Sequence, residues 1–204
     1  MIHIDPAAGS VQENYKLLIG SILPRPIALV TTLSDEGVLN AAPFSFFNIV
    51  SANPPMVAVS VQRKDGGLKD TAKHAMNRGQ FVVHIADESC IAAINETAAP
   101  VPSEVSEVEL AGLTAVASST IEVPGVKEAR IRMECVLEKA IPLGGQSGEP
   151  ACELLIGRVT AFHVAEELYH DGRIDASKLQ PVGRMAGNDY AKLGDIFTLI
   201  RPGT

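Results

Sequence analysis

The stretch LPRPIALVTTLSDEGVLNAAPFSFFNIVSANPPMVAVSV, residues 23–61, contains two runs rich in β-branched and apolar residues. The runs Pro26–Ser34 and Met56–Gln62 have the composition of β-strands, and Asp35–Gly37 is typical of a turn after the first run. Between them, Asn40–Phe46 reads NAAPFSF, with small residues, a proline and a hydroxyl where an ordinary core strand carries valine or isoleucine. This segment therefore needs an explanation other than core packing.

The rest of the chain has more strand signals than helix signals. Three further segments are rich in β-branched residues or alternate between apolar and charged positions. They are Phe81–Ala86, Ala129–Ile141 and Cys152–Ala165. Two helices are predicted, Asp70–Gly79, which begins with capping residues and ends in a glycine, and Glu88–Ala98. Because the strands do not alternate regularly with helices, we expect a mainly β fold, an antiparallel barrel with a few short helices, and Pro142–Pro150 as a hairpin loop.

Length and composition bear on the number of domains and on the cellular location. The 204 residues, of which 46% are hydrophobic, fit a single domain that we expect to span residues 1–204. The uncharged run Gly37–Gln62 is long enough to cross a bilayer, but a lipid-embedded helix would not tolerate its asparagines and prolines together, so we expect no membrane segment. The N-terminus lacks the basic start and apolar core of a signal peptide, and we predict a cytoplasmic location.

Charge, cysteines and histidines argue against several kinds of site. A net charge of −7 does not favour a nucleic-acid surface, which needs a basic stripe. The widely spaced Cys90, Cys135 and Cys152 fit neither a disulfide framework nor a zinc site, and we expect buried thiols. The five histidines form neither an HExxH motif nor a cluster, so we expect no metal site.

Polar groups converge at the start of the first predicted helix. Three cations occupy a glycine-bearing loop directly after a predicted strand. They are Arg63, Lys64 and Lys69, and the helix begins at Asp70 or Thr71. Free amide donors at the helix N-terminus, nearby cations and a threonine hydroxyl together can hold a phosphate monoester. The alternative is a solvated loop followed by an ordinary helix cap.

Several of these motifs, in this order, resemble the flavin reductase-like family. The motifs are PRPIALVTT, GVLNAAPFSFFNIVSANPPMVAVSV, KDT at a helix start and FVVHI, and the resemblance extends over residues 15–195. The segment LQPVGRMAGNDYAKLGD, residues 179–195, is similar to the closing segment of a flavoredoxin-like branch. The resemblance implies an FMN-binding split β-barrel, antiparallel and Greek-key-like, with FMN as cofactor and a homodimer that holds the flavin near its subunit interface.

The resemblance also assigns site residues. A flat isoalloxazine ring needs a wall without β-branched bulk, which the NAAPFSF segment offers. The residues implied for the ring and ribityl chain are Thr31, Thr32, Asn40, Ala42 and Ser45, and those for the phosphate end are Ser60, Arg63, Lys69, Asp70 and Thr71. Asp70 would cap the helix or orient a lysine, because a carboxylate repels a phosphate. Arg184 would reach the flavin or a substrate carboxylate, with a surface ion pair as the alternative. Phe44, Phe46 and Phe47 would either close the pocket or pack in the core.

Two functions remain open. The first is an FMN-dependent oxidoreductase that takes hydride from NADH or NADPH and passes electrons to a small acceptor or a partner enzyme. Hydride transfer is the chemistry of the cofactor, so no catalytic acid or base is assigned. The second is a flavoredoxin-like FMN electron carrier, or a flavin-binding protein, without NAD(P)H activity. The sequence has no dinucleotide-binding fingerprint that would separate the two.

Overall fold

The computed structural model describes residues 1–145 and 148–203, and strands form most of its regular structure. In chain order the strands are β1 Arg25–Pro26, β2 Ala28–Leu33, β3 Leu39–Phe44, β4 Phe47–Ala52, β5 Pro55–Gln62, β6 Gln80–Ile85, β7 Ala115–Val116, β8 Gly125–Val126, β9 Ile131–Leu143, β10 Cys152–Val164, β11 Tyr169–His170, β12 Arg173–Ile174, β13 Val182–Arg184 and β14 Tyr190–Lys192. The helices are α1 Val11–Ser21, α2 Asp70–Arg78, α3 Ile91–Glu96, α4 Glu107–Leu110 and α5 Ala176–Leu179, with a 3₁₀ turn at Glu166–Leu168.

The main sheet has the strand order β3-β2-β6-β9-β10-β5-β4. Every neighbouring pair in this sheet is antiparallel. Within the described ranges, the edge strands β3 and β4 are not hydrogen-bonded to each other, so the sheet does not close into a barrel. The prediction of a mainly β, antiparallel fold with few helices is confirmed, and the barrel is open.

The sheet curves around one apolar core. Val30 of β2, Phe44 of β3, Val59 of β5 and Leu155 of β10 share a single cluster with Ala75 of α2. Since β3 and β5 lie near opposite ends of the strand order, a flat sheet could not bring these side chains together. The curvature leaves β3 at an exposed edge beside α2, and the candidate site lies there.

A second apolar cluster covers the other face of β2. It contains Leu29 of β2 and Ala41 of β3, packed with Ile94 of α3 and Val108 of α4. Alternate residues of β2 therefore pack in different clusters, as the two-residue period of a strand requires. The packing of α4 against this face brings its first residue close to β3.

The predicted strands are present with small shifts at their ends. The run Pro26–Ser34 is divided into β1 and β2, and the other predicted strands correspond to β5, β6, β9 and β10. Strands β9 and β10 form an antiparallel hairpin in which Leu143 pairs with Cys152. The predicted hairpin loop Pro142–Pro150 includes Gln146 and Ser147, which lie outside the described residues.

The two predicted helices differ in how well their bounds agree. Helix α2 begins at Asp70 and ends before Gly79, whose φ of 67° is the left-handed conformation that glycine tolerates. The predicted helix Glu88–Ala98 is shorter, because α3 begins only at Ile91. The reason is a turn ahead of it, in which the Asp87 carboxylate accepts hydrogen bonds from the Ser89 N–H at 2.8 Å and the Ser89 hydroxyl at 2.5 Å.

Helix α1 is absent from the sequence-based prediction, although its start carries a recognisable signal. The Glu13 N–H donates to the Ser10 hydroxyl at 3.2 Å, and the Ser10 N–H donates to the Glu13 carboxylate at 2.8 Å. This reciprocal pair is a capping box, which the sequence shows as serine followed three residues later by glutamate. The signal was therefore present in SVQE, residues 10–13.

The prediction of buried thiols is confirmed for two of the three cysteines. Cys90 and Cys135 are buried free thiols, and burial raises the pKa of Cys90 to about 11 and that of Cys135 to about 12. Cys152 is only partly buried, because it begins β10 directly after the hairpin loop. Among the helices of the described chain, none combines the length and apolar character needed to cross a membrane.

Candidate functional site

A pocket of about 660 Å³ opens between the edge strand β3, the start of α2 and the segment that follows α3. Its lining combines apolar wall, hydroxyl, carboxylate and ammonium groups. The lining residues are Asn40, Ala42, Pro43, Phe44, Lys64, Asp65, Leu68, Lys69, Asp70, Thr71, Thr97, Ala98, Ala99, Pro100, Val101 and Glu107. The volume is within the usual range for a small-ligand site.

Strand β3 supplies one wall of the pocket. It pairs with β2 on one side only, with Asn40 opposite Thr32 and Ala42 opposite Val30. A proline at position 43 fits this strand because an edge strand has one side that needs no ladder hydrogen bonds. The small side chain of Ala42 and the ring of Pro43 make a wall that a flat ligand can approach closely.

Asn40 is the centre of a buried hydrogen-bond network. Its Oδ1 accepts from the hydroxyls of Thr32 and Thr71, each at 3.1 Å. Its Nδ2 donates to both carboxylate oxygens of Glu107, each at 3.0 Å. The two threonines fill both lone pairs of the amide oxygen, and the NH₂ group is shared between the two oxygens of one carboxylate. Asn40 thus fixes the orientation of Thr32, Thr71 and Glu107 at the inner end of the pocket.

Glu107 is a site residue that the sequence analysis does not identify. It begins α4, is buried, and also accepts a hydrogen bond from the Ala41 N–H at 3.0 Å. A carboxylate has about four lone-pair positions, so it retains acceptor capacity beside its three donors. The Thr71 hydroxyl, which donates to Asn40, also keeps lone pairs. The inner part of the pocket is therefore rich in acceptors and suits a ligand with several hydroxyl groups.

The start of α2 supplies donors instead. Lys69 is the N-cap residue, and no side chain of the described residues accepts a hydrogen bond from the first turn. Backbone N–H groups and the positive end of the helix dipole are thus available at the pocket. Asp70 is the first helical residue and not a cap, so the expectation that Asp70 caps the helix is wrong.

Two lysines accompany these backbone donors. Lys64 and Lys69 both line the pocket, and neither forms an ion pair with a carboxylate anywhere in residues 1–145 or 148–203. Lys64 is held by a tight turn in which the Lys64 and Gly67 backbones exchange hydrogen bonds of 3.1 and 2.8 Å. The turn passes through Gly66, with a φ of 77° that favours glycine. The outer part of the pocket therefore carries two ammonium groups that form no ion pair within the described chain, with the carboxylates of Asp65 and Asp70 also in the lining.

Other residues assigned by the resemblance do not line this pocket. Thr31 is buried and donates to the carbonyl of Pro124 at 2.7 Å, on the face of β2 opposite to Thr32. Ser60 accepts a hydrogen bond from the Gln62 side chain on β5. Arg63 does not reach the pocket, because its guanidinium forms an ion pair with the buried Glu153.

Ser45 and the aromatic residues follow β3 into a neighbouring groove. This groove of about 400 Å³ lies between α1 and β4, and its walls include Ser45, Phe46 and Phe47. Ser45 is close to the buried Arg25, whose Nε lies 3.4 Å from the Ser45 hydroxyl. Phe44 packs in the core, whereas Phe46 and Phe47 are partly exposed along the groove.

Arg184 does not form the surface ion pair that was the alternative to a ligand contact, within the described residues. Its guanidinium lies over the ring of Tyr190, 4.5 Å from the centroid, and donates to the carbonyl of Gly187 at 2.5 Å. The Tyr190 hydroxyl in turn donates to Asn95 at 2.8 Å. Arg184 therefore stabilises the β13–β14 hairpin through a cation–π contact, and within the described residues it forms no ion pair.

Comparison with known proteins gives the context of this pocket. The model of the protein family described as "Flavin reductase like domain" matches residues 19–178. Nitrilotriacetate monooxygenase component B from Bacillus cereus is 62% identical, and its crystal structure has a TM-score of 0.96 over 98% of each chain. The 2-nitrobenzoate 2-nitroreductase NbaA from Pseudomonas fluorescens is 34% identical, with a TM-score of 0.88 over 99% of this chain and 97% of that chain.

The structural likeness extends to more distant proteins. Flavoredoxin of Desulfovibrio vulgaris (Miyazaki F) has a TM-score of 0.77 over 99% of each chain, at 20% sequence identity. At this identity the likeness concerns the fold alone. The resemblance drawn from the sequence motifs is confirmed by the family match and by these structures.

Proposed function

The chain belongs to the flavin reductase-like domain family, and from this premise we propose that it binds FMN and transfers electrons from NADH or NADPH to an acceptor. The observation that carries the proposal is the division of the pocket at β3 and α2 into an acceptor-rich inner part and an outer part with two lysines beside an uncapped helix N-terminus. FMN has the same division, since its ribityl chain carries hydroxyl donors and its terminal phosphate carries negative charge.

The inner part fits the ribityl chain. Glu107 and Thr71 retain lone pairs after their contacts with Asn40, so they can accept hydrogen bonds from ligand hydroxyls. A phosphate would be unfavourable here, because a buried carboxylate repels it. Glu107 therefore favours a neutral polyol in this part of the pocket and directs an anionic group elsewhere.

The outer part fits the phosphate. The uncapped first turn of α2 offers backbone N–H groups, and Lys64 and Lys69 add two unpaired ammonium groups. Asp65 and Asp70 also line this part, so the phosphate is expected to face the lysines and the helix axis. Helix α2 has nine residues, which is enough for its dipole to contribute.

The ring would lie against the apolar wall. Ala42, Pro43 and Leu68 face the same pocket, and Ala98–Val101 lie across from them. When bound, FMN would supply the hydride and electron chemistry. The task of the chain is then to position the ring, exclude water from it and leave one face accessible to a nicotinamide.

The relatives support two versions of the acceptor step. The 62% identical protein is named as one component of a monooxygenase, which supports delivery of reduced flavin to a second protein. The 34% identical protein is named as a nitroreductase, which supports reduction of a small molecule. A flavoredoxin-like electron carrier without NAD(P)H activity is the second candidate function, and the shared fold of flavoredoxin is its support.

The two candidates differ in one simple assay. Purified protein is mixed with FMN and with either NADH or NADPH, and the loss of nicotinamide absorbance is followed over time. An oxidoreductase oxidises at least one nicotinamide faster than free FMN does. A protein that binds FMN but leaves both rates at the level of free FMN is an electron carrier, and that result would exclude the first candidate.

A further inference from the structure

The C-terminal arm, residues 193–203, extends from the folded chain without contributing to any core. Every residue from 192 to 203 is exposed, and the arm has no helix or strand in the described residues. Its sequence nevertheless contains a dense group of large apolar side chains. These are Leu193, Ile196, Phe197, Leu199 and Ile200, of which Phe197, Leu199 and Ile200 are 78%, 81% and 85% exposed. A run of this kind is unfavourable in water and marks a contact surface.

A matching apolar surface exists elsewhere on the same molecule. Val11, Tyr15, Leu18 and Ile22 recur at spacings of four and three residues along α1 and at its end, so they form one stripe, and all are exposed. The buried Ile19 anchors the helix to its own chain. The stripe is therefore a second, outward apolar face, which a helix packed only on its own domain would not need.

The stripe is continuous with the edge strand β4. The groove between α1 and β4 is lined by Leu18, Ile22 and Phe47, and farther along β4 the side chains of Ile49 and Val50 are exposed, Ile49 by 77%. We call this surface the α1–β4 face. An edge strand with exposed apolar side chains is a site where proteins pair with another chain.

We propose that the C-terminal arm of one chain docks on the α1–β4 face of a second copy, and that the two copies exchange arms reciprocally. One molecule carries both an arm and a face whose large apolar side chains are exposed, among them Phe197 and Ile200 on the arm and Val11 and Ile49 on the face. In a closed two-fold dimer each arm covers the α1–β4 face of the other copy, so the same contact forms twice and buries both surfaces of both copies. Because the arm stands away from its own α1–β4 face in the described structure, the second copy is the occupant that buries it. The homodimer is thus held by its arms.

The first test compares masses in solution. The monomer mass is 21.6 kDa, and sedimentation of the full chain at tens of micromolar is expected to give twice that mass. A chain ending at Lys192 and the double variant Phe197→Ser/Ile200→Ser are both expected to raise the dimer dissociation constant by about 30-fold or more. Leu110→Ser on α4 removes an equally large exposed apolar residue away from both surfaces, and it should leave the dimer intact.

The second test identifies the partner surface. In a Cys152→Ser background, chains with Phe197→Cys are mixed with chains carrying Ile49→Cys and treated with a short bismaleimide. A mixed covalent dimer is expected. Monomeric wild-type protein, an unchanged dissociation constant in both arm variants, or the absence of a mixed covalent dimer would overturn the proposal.

Discussion

Glu107 decides the character of the pocket at the scale of single residues. It accepts from the NH₂ group of Asn40 and from the Ala41 N–H, so the oxygen of Asn40 is fixed toward Thr32 and Thr71. The buried carboxylate is fully compensated by these donors, as burial of a charge requires. Glu107 also lines the pocket and keeps free lone pairs, so it can accept hydrogen bonds from hydroxyl groups of the proposed ligand while the phosphate lies farther out.

Glu107→Gln tests this role. Glutamine has the same size, but its NH₂ group replaces one acceptor and meets the donors of Asn40 and Ala41. We expect FMN and riboflavin to bind about 10-fold more weakly, to the same extent, because both carry the ribityl chain. Fluorescence titration with each flavin measures the effect.

The control for this change is Glu109→Gln, which removes the same charge from an exposed position of α4. It should leave both affinities unchanged. A loss confined to FMN in Glu107→Gln would mean that Glu107 faces the phosphate instead, and unchanged affinity for both flavins would place Glu107 outside the site.

At the scale of elements, His84 connects three strands. Its Nδ1 lies 2.9 Å from the Leu29 carbonyl of β2, and the Val126 N–H of β8 donates to its Nε2 at 2.8 Å. The first contact requires a proton on Nδ1 and the second a lone pair on Nε2, so the ring is neutral. Burial is the main cause that lowers the pKa of His84 to about 4.

This low pKa predicts a dependence of stability on pH. Above about pH 6.5 the side chain is neutral in the folded and unfolded states, and it contributes no pH dependence. Between pH 6.5 and 4 only the unfolded chain takes up the proton, so the free energy of unfolding falls as the pH falls, by on the order of 3 kcal/mol for a full shift. Urea unfolding at several pH values measures the slope.

His84→Gln keeps one donor and one acceptor but does not titrate. This variant should be less stable at pH 7 and should lose stability less steeply between pH 6.5 and 4. Some dependence of the free energy of unfolding on pH will remain in this variant, because burial also lowers the pKa of His74. Glu134 acts at lower pH: burial alone would raise its pKa, but hydrogen bonds from Thr120, Ser119 and His163 lower the pKa to about 2. A slope equal to that of the wild type would contradict the assignment to His84.

The strands and α2 could be predicted from the sequence because their signals are local. β-Branched runs, a glycine after the last helical turn and the run of small residues in β3 each depend on a few neighbouring positions. The signal for helix α1 is equally local, since its capping box lies within the four residues SVQE, and this motif would have predicted the start of the helix. Strand β2 has a neighbouring strand on each side, so the two-residue period already indicates that the side chains of the adjacent Thr31 and Thr32 point to opposite faces of the sheet.

Other features of the site depend on contacts between distant segments. Glu107 reaches Asn40 only because α4 packs against β3. Arg63 lies outside the pocket because its guanidinium forms an ion pair with Glu153 on the neighbouring strand β10. No pattern near either residue contains this information, so the sequence assigned Arg63 to the phosphate and omitted Glu107.

At the scale of the whole molecule, the net charge of −7 makes an anion site unfavourable unless cations are concentrated locally. Lys64 and Lys69 provide that concentration at the uncapped start of α2. The open sheet places this start beside the exposed edge strand β3, and the apolar wall continues from there. Fold, charge and wall together are the basis for the proposed ligand, which has a flat ring, a polyol and a phosphate.

The most direct measurement of this claim is the ratio of FMN to riboflavin affinity. We predict that the wild-type protein prefers FMN by roughly 10- to 100-fold, because the phosphate gains charge-assisted hydrogen bonds. Lys64→Ala/Lys69→Ala should abolish most of this preference and leave riboflavin binding unchanged. The double variant Lys127→Ala/Lys139→Ala removes the same charge from exposed positions elsewhere and should keep the preference. Equal affinity of the wild-type protein for both flavins would contradict the proposed phosphate site at the start of α2. An equal loss of affinity for both flavins in the Lys64→Ala/Lys69→Ala variant would contradict it as well.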